Sequence, residues 1–278
     1  FGGIFNKTNV YMIIGISGKL QTGKNTSAHM MQFIIENYKE GLDADSMFAS
    51  YLLGYDYDFK KTEQKQFASK IKQIVALLIN CDVKDLEDES FKNKILSKEW
   101  WTYKLPNDQL LAYTDNNPDF INKYNLIKMT PRLMMQLIGT EGMRNLIHPN
   151  IWITSLFNDY KEDSNWIITD VRFPNEAKAI KDKGGILIRV NRLIGKIVYV
   201  IENDQPFQNW YGVVESYNGN NFYNVIDNDN DLVLVHKNRI TLLDDHKSET
   251  SLDKYTEWDY IVDNNGTFKE LFIKLFEI

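Results

Sequence analysis

The sequence has one cysteine, Cys81, in 278 residues. A lone thiol builds neither a disulfide framework nor a cysteine-type metal cluster, and it suits a reducing cytosol. No apolar run approaches the roughly 20 residues of a membrane-spanning helix, so no membrane partner is expected. Phe1–Asn9 lacks the basic start and long apolar middle of a secretory signal. Met12 reads as a natural start, which leaves residues 1–11 as a leader or as added residues. Positive charge is also short, with a net charge of −6. An acidic chain is a poor non-specific binder of nucleic acid, because such binding comes from neutralised phosphates. No stable nucleic-acid partner is expected, although a nucleotide held by a few placed cations is not excluded. There is no internal repeat.

The remaining composition, 43% hydrophobic and 25% charged, is ordinary for a globular chain with a substantial core. The length suits one large α/β domain, or a domain with a sizeable insertion.

The chain is organised around Tyr11-Met-Ile-Ile-Gly15-Ile-Ser-Gly18-Lys19-Leu-Gln-Thr22-Gly23-Lys24-Asn25-Thr26. Met12–Ile14 reads as a buried parallel strand. Gly18 and Gly23 bracket four residues and Lys24 follows, which is the spacing of a phosphate-binding loop. Glycines let successive N–H groups point at one anion, Lys24 adds a cation, and a helix starting near Asn25 adds its positive end. The Ser or Thr that would ligate Mg²⁺ after the lysine is Asn25 here, with Thr26 one place later.

Asn25–Lys39 reads as a helix, followed by a polar, aromatic stretch from Gly41 to Lys61. The spacing predicts a second helix from Thr62 onward, through Phe67, Ile71, Ile74, Val75 and Leu78. Its Lys70 and Lys72 read as a solvated face on spacing alone. Leu86–Lys98 is expected to be helical. Thr130-Pro131-Arg132 reads as a helix start, with Thr as cap and Pro in the first position. Arg132 and Gln136 share a face of that helix. Gly139-Thr140-Glu141 is expected to break it before Arg144. The two arginines and the glutamine are candidates for a second anion site. Trp166–Asp170 reads as an apolar strand ending in an acid, the carboxylate that a phosphate-loop site directs at its metal. Arg172, Asn175 and Glu176 follow at the strand-to-helix turn, and Ile186–Val190 is the next strand.

Several blocks together resemble the phage-encoded deoxynucleoside monophosphate kinases, a family of P-loop kinases. They are Gly18–Thr26, Phe67–Lys72, Thr130–Trp152, Ile168–Ala177, and His246–Asp253 with Trp258–Gly266. The Asp-Val-Arg-Phe-Pro-Asn-Glu run, 170–176, is the most telling. The resemblance spans Met12–Leu193 and Asp245–Ile278. It implies an α/β, three-layer P-loop NTPase fold with a parallel sheet, formed by residues 12–193 and 245–278. It also implies ATP-dependent phosphoryl transfer to a (deoxy)nucleoside 5'-monophosphate, with ATP and Mg²⁺ as cofactors, in the cytoplasm of a phage's host, by a homodimer.

The roles follow from that resemblance. Gly18, Lys19, Thr22, Gly23, Lys24, Asn25 and Thr26 would bind ATP. Asn25, Thr26 and Asp170 would hold the metal. Lys24, Arg132, Arg144 and Arg172 would be catalytic. Lys72, Arg132, Gln136, Arg144, Asp170, Arg172, Asn175 and Glu176 would bind the substrate. Arg189, Arg192 or His246–Glu249 would close over the site. A kinase of a small metabolite, such as dephospho-coenzyme A, is the enzymatic alternative. A nucleotide-gated binding protein is the other.

Residues 194–244 fall outside the resemblance. Short β-type runs at Ile197–Ile201, Trp210–Glu215, Phe222–Ile226, Leu232–Val235 and Ile240–Leu243 alternate with turn residues. They predict a small inserted all-β barrel of SH3-like type. Residues 195–245 carry three Lys/Arg against eight Asp/Glu. That balance, with Tyr199, Trp210, Tyr211 and Tyr223, argues against a phosphate-backbone partner.

Overall fold

The structure is a computed structural model. It describes residues 12–39, 41–54, 59, 61–105, 109–112, 125–161, 164–200, 210–227, 229–242 and 250–278. The chain divides into two compact units, Phe1–Gln66 with Tyr160–Ile278, and Phe67–Asp159.

In the first unit, strand β1 (Ile13–Ser17) runs into the glycine loop and helix α1 (Lys24–Asn37). Within the polar, aromatic stretch, Asp43 accepts the N–H of Ser46 at 2.9 Å and caps α2 (Ala44–Leu53). The expected helix from Thr62 does not begin there. Thr62–Lys65 is strand β2, which pairs in parallel with a strand at Asn165–Val171. Four polar residues carry no apolar period, and the ladder decides their conformation.

The second unit follows. Helix α3 (Ser69–Ile79) keeps the expected apolar face, with Val75 fully buried and Ile71 packed beside it. Instead of a continuous helix over Leu86–Lys98 there is a 3₁₀ turn at Val83–Glu87, a short α4 (Glu89–Lys92) and a 3₁₀ turn at Lys98–Trp100. Asp88 accepts the N–H of Phe91 at 2.7 Å, which starts a new helix and interrupts the old one. Strands β3 (Thr102–Lys104), β4 (Leu110–Ala112) and β5 (Asn125–Ile127) form a small antiparallel sheet in the order β4-β3-β5. Thr130 caps α5 (Pro131–Gln136), accepting the Leu133 N–H at 3.2 Å, as the sequence predicts. Gly139 does not break the helix. It continues as a π-helix over Leu137–Ile147, and the Gly139 carbonyl accepts the Trp152 indole N–H at 2.8 Å. Trp152 lies on α6 (Ile151–Phe157).

Returning to the first unit, β6 (Asn165–Val171), α7 (Pro174–Asp182) and β7 (Ile186–Asn191) form a strand–helix–strand crossover. Strands β8 (Ile197–Val200), β9 (Trp210–Tyr217), β10 (Phe222–Ile226), β11 (Leu232–His236) and β12 (Ile240–Leu242) lie within the run expected to be all-β. They form an antiparallel sheet in the order β11-β10-β9-β8-β12 around Val198, Val200, Val214, Tyr223, Val225 and Val235. The side chains of Tyr199, Trp210 and Tyr211 lie outside the described residues. Strand β13 (Tyr260–Asp263) and helix α8 (Phe268–Phe276) follow.

The main sheet is parallel throughout, in the order β13-β7-β1-β6-β2. Strand alternation divides it into two faces. Ile14, Ile16, Ile167, Ile188, Val190 and Val262 pack in one cluster with α1, α2 and α8. A Cβ on Gly15 would meet Ile180 of α7 at 2.6 Å, so that helix presses closely on the other face. Helices therefore flank the parallel sheet on both faces, the α/β architecture expected. In one register row at the strands' C-terminal ends, Ser17 aligns with Val171 and with Arg189. Loops that leave this end are where parallel α/β sheets bind ligands.

Candidate active site

The loop after β1 is shaped as a cradle. Gly23 has φ +92°, and a Cβ there would lie 2.5 Å from the Asn264 side-chain nitrogen. At Gly18 a Cβ would come within 2.5 Å of both the Thr22 hydroxyl and the Val190 carbonyl. Thr22 is 2% exposed and donates its hydroxyl to the Lys19 carbonyl at 3.0 Å. Gly23 puts no side-chain cap on α1, and the first-turn N–H groups of a helix can serve an anion. Lys24 donates to the Gly18 and Lys19 carbonyls, both at 2.7 Å. Asn25 is exposed and Thr26 half-buried.

Charge accumulates around this loop. Burial of its ammonium is the main reason that Lys24 has a pKa lowered to about 7, and the Arg172 guanidinium lowers it further. Asp170 opposes the shift, while Lys196 and Arg189 add to it. The end of β6 and the turn after it thus deliver an acid and a guanidinium to Lys24 from positions two apart. The Arg189 guanidinium donates to the Ser17 hydroxyl at 3.1 Å and lies 5.6 Å from the Trp258 ring centre. Asp253 lies 3.2 Å from the Lys19 ammonium and 3.8 Å from Arg189. Lys196, at the start of the antiparallel sheet, donates to the Leu20 carbonyl. So many cations around a loop of N–H groups suit a polyanion.

The turn after β6 is held from within. Glu176 is 2% exposed, and one of its carboxylate oxygens accepts the N–H groups of Arg172 at 2.8 Å and Phe173 at 3.0 Å. Asn175 is half-buried beside it.

Four expected site residues belong to the unit 67–159. Lys72 on α3 donates to Glu87 at 2.6 Å. Arg132 on α5 pairs with Glu89 and donates its Nε to Asn93 at 3.0 Å. Helices α3 and α5 pack together, so both cations are met by carboxylates from one short segment. Gln136 is half-buried, one turn along α5 from Arg132. Arg144, in the π-helix, donates to the Pro149 carbonyl at 3.3 Å.

Sequence reasoning assigned no role to Asn264, Asp253 or Lys196. Asn264 is 5% exposed, and its side-chain N–H donates to the Thr22 carbonyl at 2.9 Å. The available signal was the Asn264-Asn265-Gly266 run after the last strand, within a block already marked by resemblance. The segment His246–Glu249 lies outside the described residues. Among the described residues no three His, Cys, Asp or Glu gather as a metal site. No helix among them is long and apolar enough to cross a membrane.

The model of the family described as deoxynucleotide monophosphate kinase matches residues 12–198. The deoxynucleoside-5'-monophosphate kinase of Escherichia phage T5 is 26% identical over 244 residues, covering 80% of this chain and 93% of the phage protein. A protein of Acanthamoeba polyphaga mimivirus, provisionally named a deoxynucleotide monophosphate kinase, is 38% identical over 77 residues, 23% of this chain and 39% of that protein.

Proposed function

The chain belongs to the deoxynucleotide monophosphate kinase family, and from that premise we propose that it transfers the terminal phosphoryl group of ATP to a deoxynucleoside 5'-monophosphate, with a division of labour set by its own residues. The observation that carries the donor half is Lys24. Its ammonium is desolvated, surrounded by further cations and bonded to carbonyls of the glycine loop. A polyphosphate would supply the missing negative charge.

The Gly18–Gly23 backbone, with Lys19, Thr22, Lys24, Asn25 and Thr26, takes the donor phosphates. Arg172 takes the phosphoryl group in transit. The acceptor already carries a nucleophilic phosphate oxygen, so no strong general base is needed. Positioning and charge stabilisation do the work. Lys72, Arg132, Gln136 and Arg144 are the acceptor's clamp. Asn175 and Asp170 complete the substrate contacts. Glu176 acts indirectly, by holding the turn that presents Arg172.

Mg²⁺ suits the oxygen donors at hand. Asp170 offers a carboxylate, Thr26 a hydroxyl and Asn25 an amide oxygen, and Mg²⁺ is commonly held by one or two carboxylates together with substrate phosphates. The ion would neutralise negative charge on the phosphates. We read residues 194–244 as an SH3-like module inserted in a kinase domain of 12–193 and 245–278. Support comes from the strand pattern: β8 to β11 pair in sequence, a 3₁₀ turn follows at Lys237–Arg239, and β12 returns to β8. A homodimer and a location in a host's cytoplasm belong to the same proposal.

A coupled ADP-release assay across dAMP, dGMP, dTMP, dCMP and dephospho-coenzyme A tests the reading. Turnover is expected with one or more deoxynucleotides and not with dephospho-coenzyme A. Lys24→Ala is expected to lose activity on the order of hundredfold or more. A Lys24→Ala protein with full turnover would refute the donor assignment.

A further inference from the structure

We propose that Asn264 is a positioning residue for the donor-phosphate loop and that, through Asn265, it couples the loop to the inserted antiparallel sheet. The inference rests on reading the glycine loop as the ATP site.

An anion cradle needs its N–H groups turned inward and its carbonyls supported elsewhere. The Thr22 carbonyl, immediately before the left-handed Gly23, receives the buried Asn264 side-chain N–H at 2.9 Å. Asn264 is fixed at its base as well, because its backbone N–H donates to the Asn191 carbonyl at 2.7 Å. The space a Cβ on Gly23 would take is filled by this amide. A side chain without a donor would leave the Thr22 carbonyl without this bond. A carboxylate would put an acceptor against an acceptor.

The next residue faces the other way. The Asn265 side-chain oxygen accepts the Leu193 N–H at 2.9 Å, and its amide nitrogen donates to the Tyr223 hydroxyl at 3.1 Å. Tyr223 is 2% exposed in the core of the inserted sheet. One planar peptide unit joins the two asparagines, so a displacement of the sheet is passed to the loop at Thr22. Lys196, from the sheet's first turn, grips the same loop at the Leu20 carbonyl. The insert is therefore tied to two residues of the donor loop. Ordering that loop with ATP should tighten the insert, and loosening the insert should weaken ATP.

The test uses the full chain. ATP affinity is measured calorimetrically for wild type, Asn264→Ala, Asn264→Asp and Tyr223→Phe, with KM for ATP and for the monophosphate measured separately. Asn264→Ala and Asn264→Asp are expected to weaken ATP about tenfold, with the KM for the monophosphate within about twofold of wild type. Tyr223→Phe, which reaches the loop through Asn265, is expected to weaken ATP about two- to threefold. Folded Asn264 variants with wild-type ATP affinity would overturn the positioning role. Wild-type affinity in Tyr223→Phe would overturn the coupling. If the Asn264 variants do not fold, hydrogen exchange on the wild type decides. ATP should slow exchange at the amides of β10 as well as at Thr22 and Gly23, and unchanged β10 amides would reject the coupling. A wild type that binds no ATP would instead remove the donor-site reading itself, and this inference with it.

Discussion

Glu89 sets its carboxylate against the guanidinium of Arg132, the residue proposed to clamp the acceptor phosphate. Lys92 joins from the other side, its ammonium 2.5 Å from the same carboxylate. An incoming phosphate must displace this anion or share the guanidinium with it. Charge-assisted pairs of this kind are the strong ones, but partial exposure weakens them. Glu89→Gln is expected to lower the KM for the monophosphate about three- to tenfold at saturating ATP, and Arg132→Ala to raise it by at least as much. A higher KM in Glu89→Gln would mean that the carboxylate holds Arg132 in place and does not compete for it.

Lys24 gives a pH signature. Its pKa is lowered to about 7, first by burial and then by Arg172. In the unfolded chain the amine titrates near 10.5. Between these values the unfolded state binds more protons, so stability rises with pH across that window. The penalty of the buried charge is fully present below about pH 7. Lys24→Met should flatten this dependence in urea titrations of the nucleotide-free protein. Donor phosphates favour the charged amine, so ATP should bind with proton uptake near pH 8, visible as a buffer-dependent binding enthalpy. Buffer-independent enthalpies in the wild type would contradict it.

Glu176 is expected to matter more than its hidden position suggests. Its one carboxylate oxygen receives both the Arg172 and Phe173 N–H groups. Glu176→Ala strands two donors at the start of α7 and should destabilise the protein by about 2 kcal/mol. Turnover should fall as well, because Arg172 loses its support. Denaturant melts and kcat measured on the same preparation check both. A variant that loses neither would place the turn's rigidity elsewhere.

Metal dependence can be read on Asp170. Chelation with EDTA is expected to abolish turnover, and Mg²⁺ to restore it. Asp170→Asn should raise the Mg²⁺ concentration for half-maximal rate about tenfold, consistent with a lost carboxylate ligand. An unchanged Mg²⁺ requirement would leave Asp170 with the task of balancing the charge on Lys24.

Features fixed by near neighbours in sequence were legible. The glycine spacing, the Thr130 cap and the alternating runs of the insert depend on residues a few places apart, and each of these local patterns is in the structure. Thr62–Lys65 was misread because its strand character comes from a ladder to Asn165–Ile168, about 100 residues on. The break expected at Gly139 failed because the helix changes its ladder from α to π there, and glycine content does not report that. No local pattern marks Glu87 and Glu89, which meet Lys72 and Arg132 only where α3 and α5 pack together. The contact of Asn264 was hidden for the same reason: its partner, Thr22, is 242 residues away.

That separation bears on how the protein comes off the ribosome. The amide that braces the loop is made 242 residues after Thr22, and the Leu271, Phe272 and Leu275 side chains that cover its sheet come later still. A nascent chain that lacks residues 260–278 would expose the face of β7 and leave the cradle unbraced. Nucleotide capture should therefore wait until these residues have been made, and products that stop before them should be targets for chaperones and proteases with no residual enzyme activity.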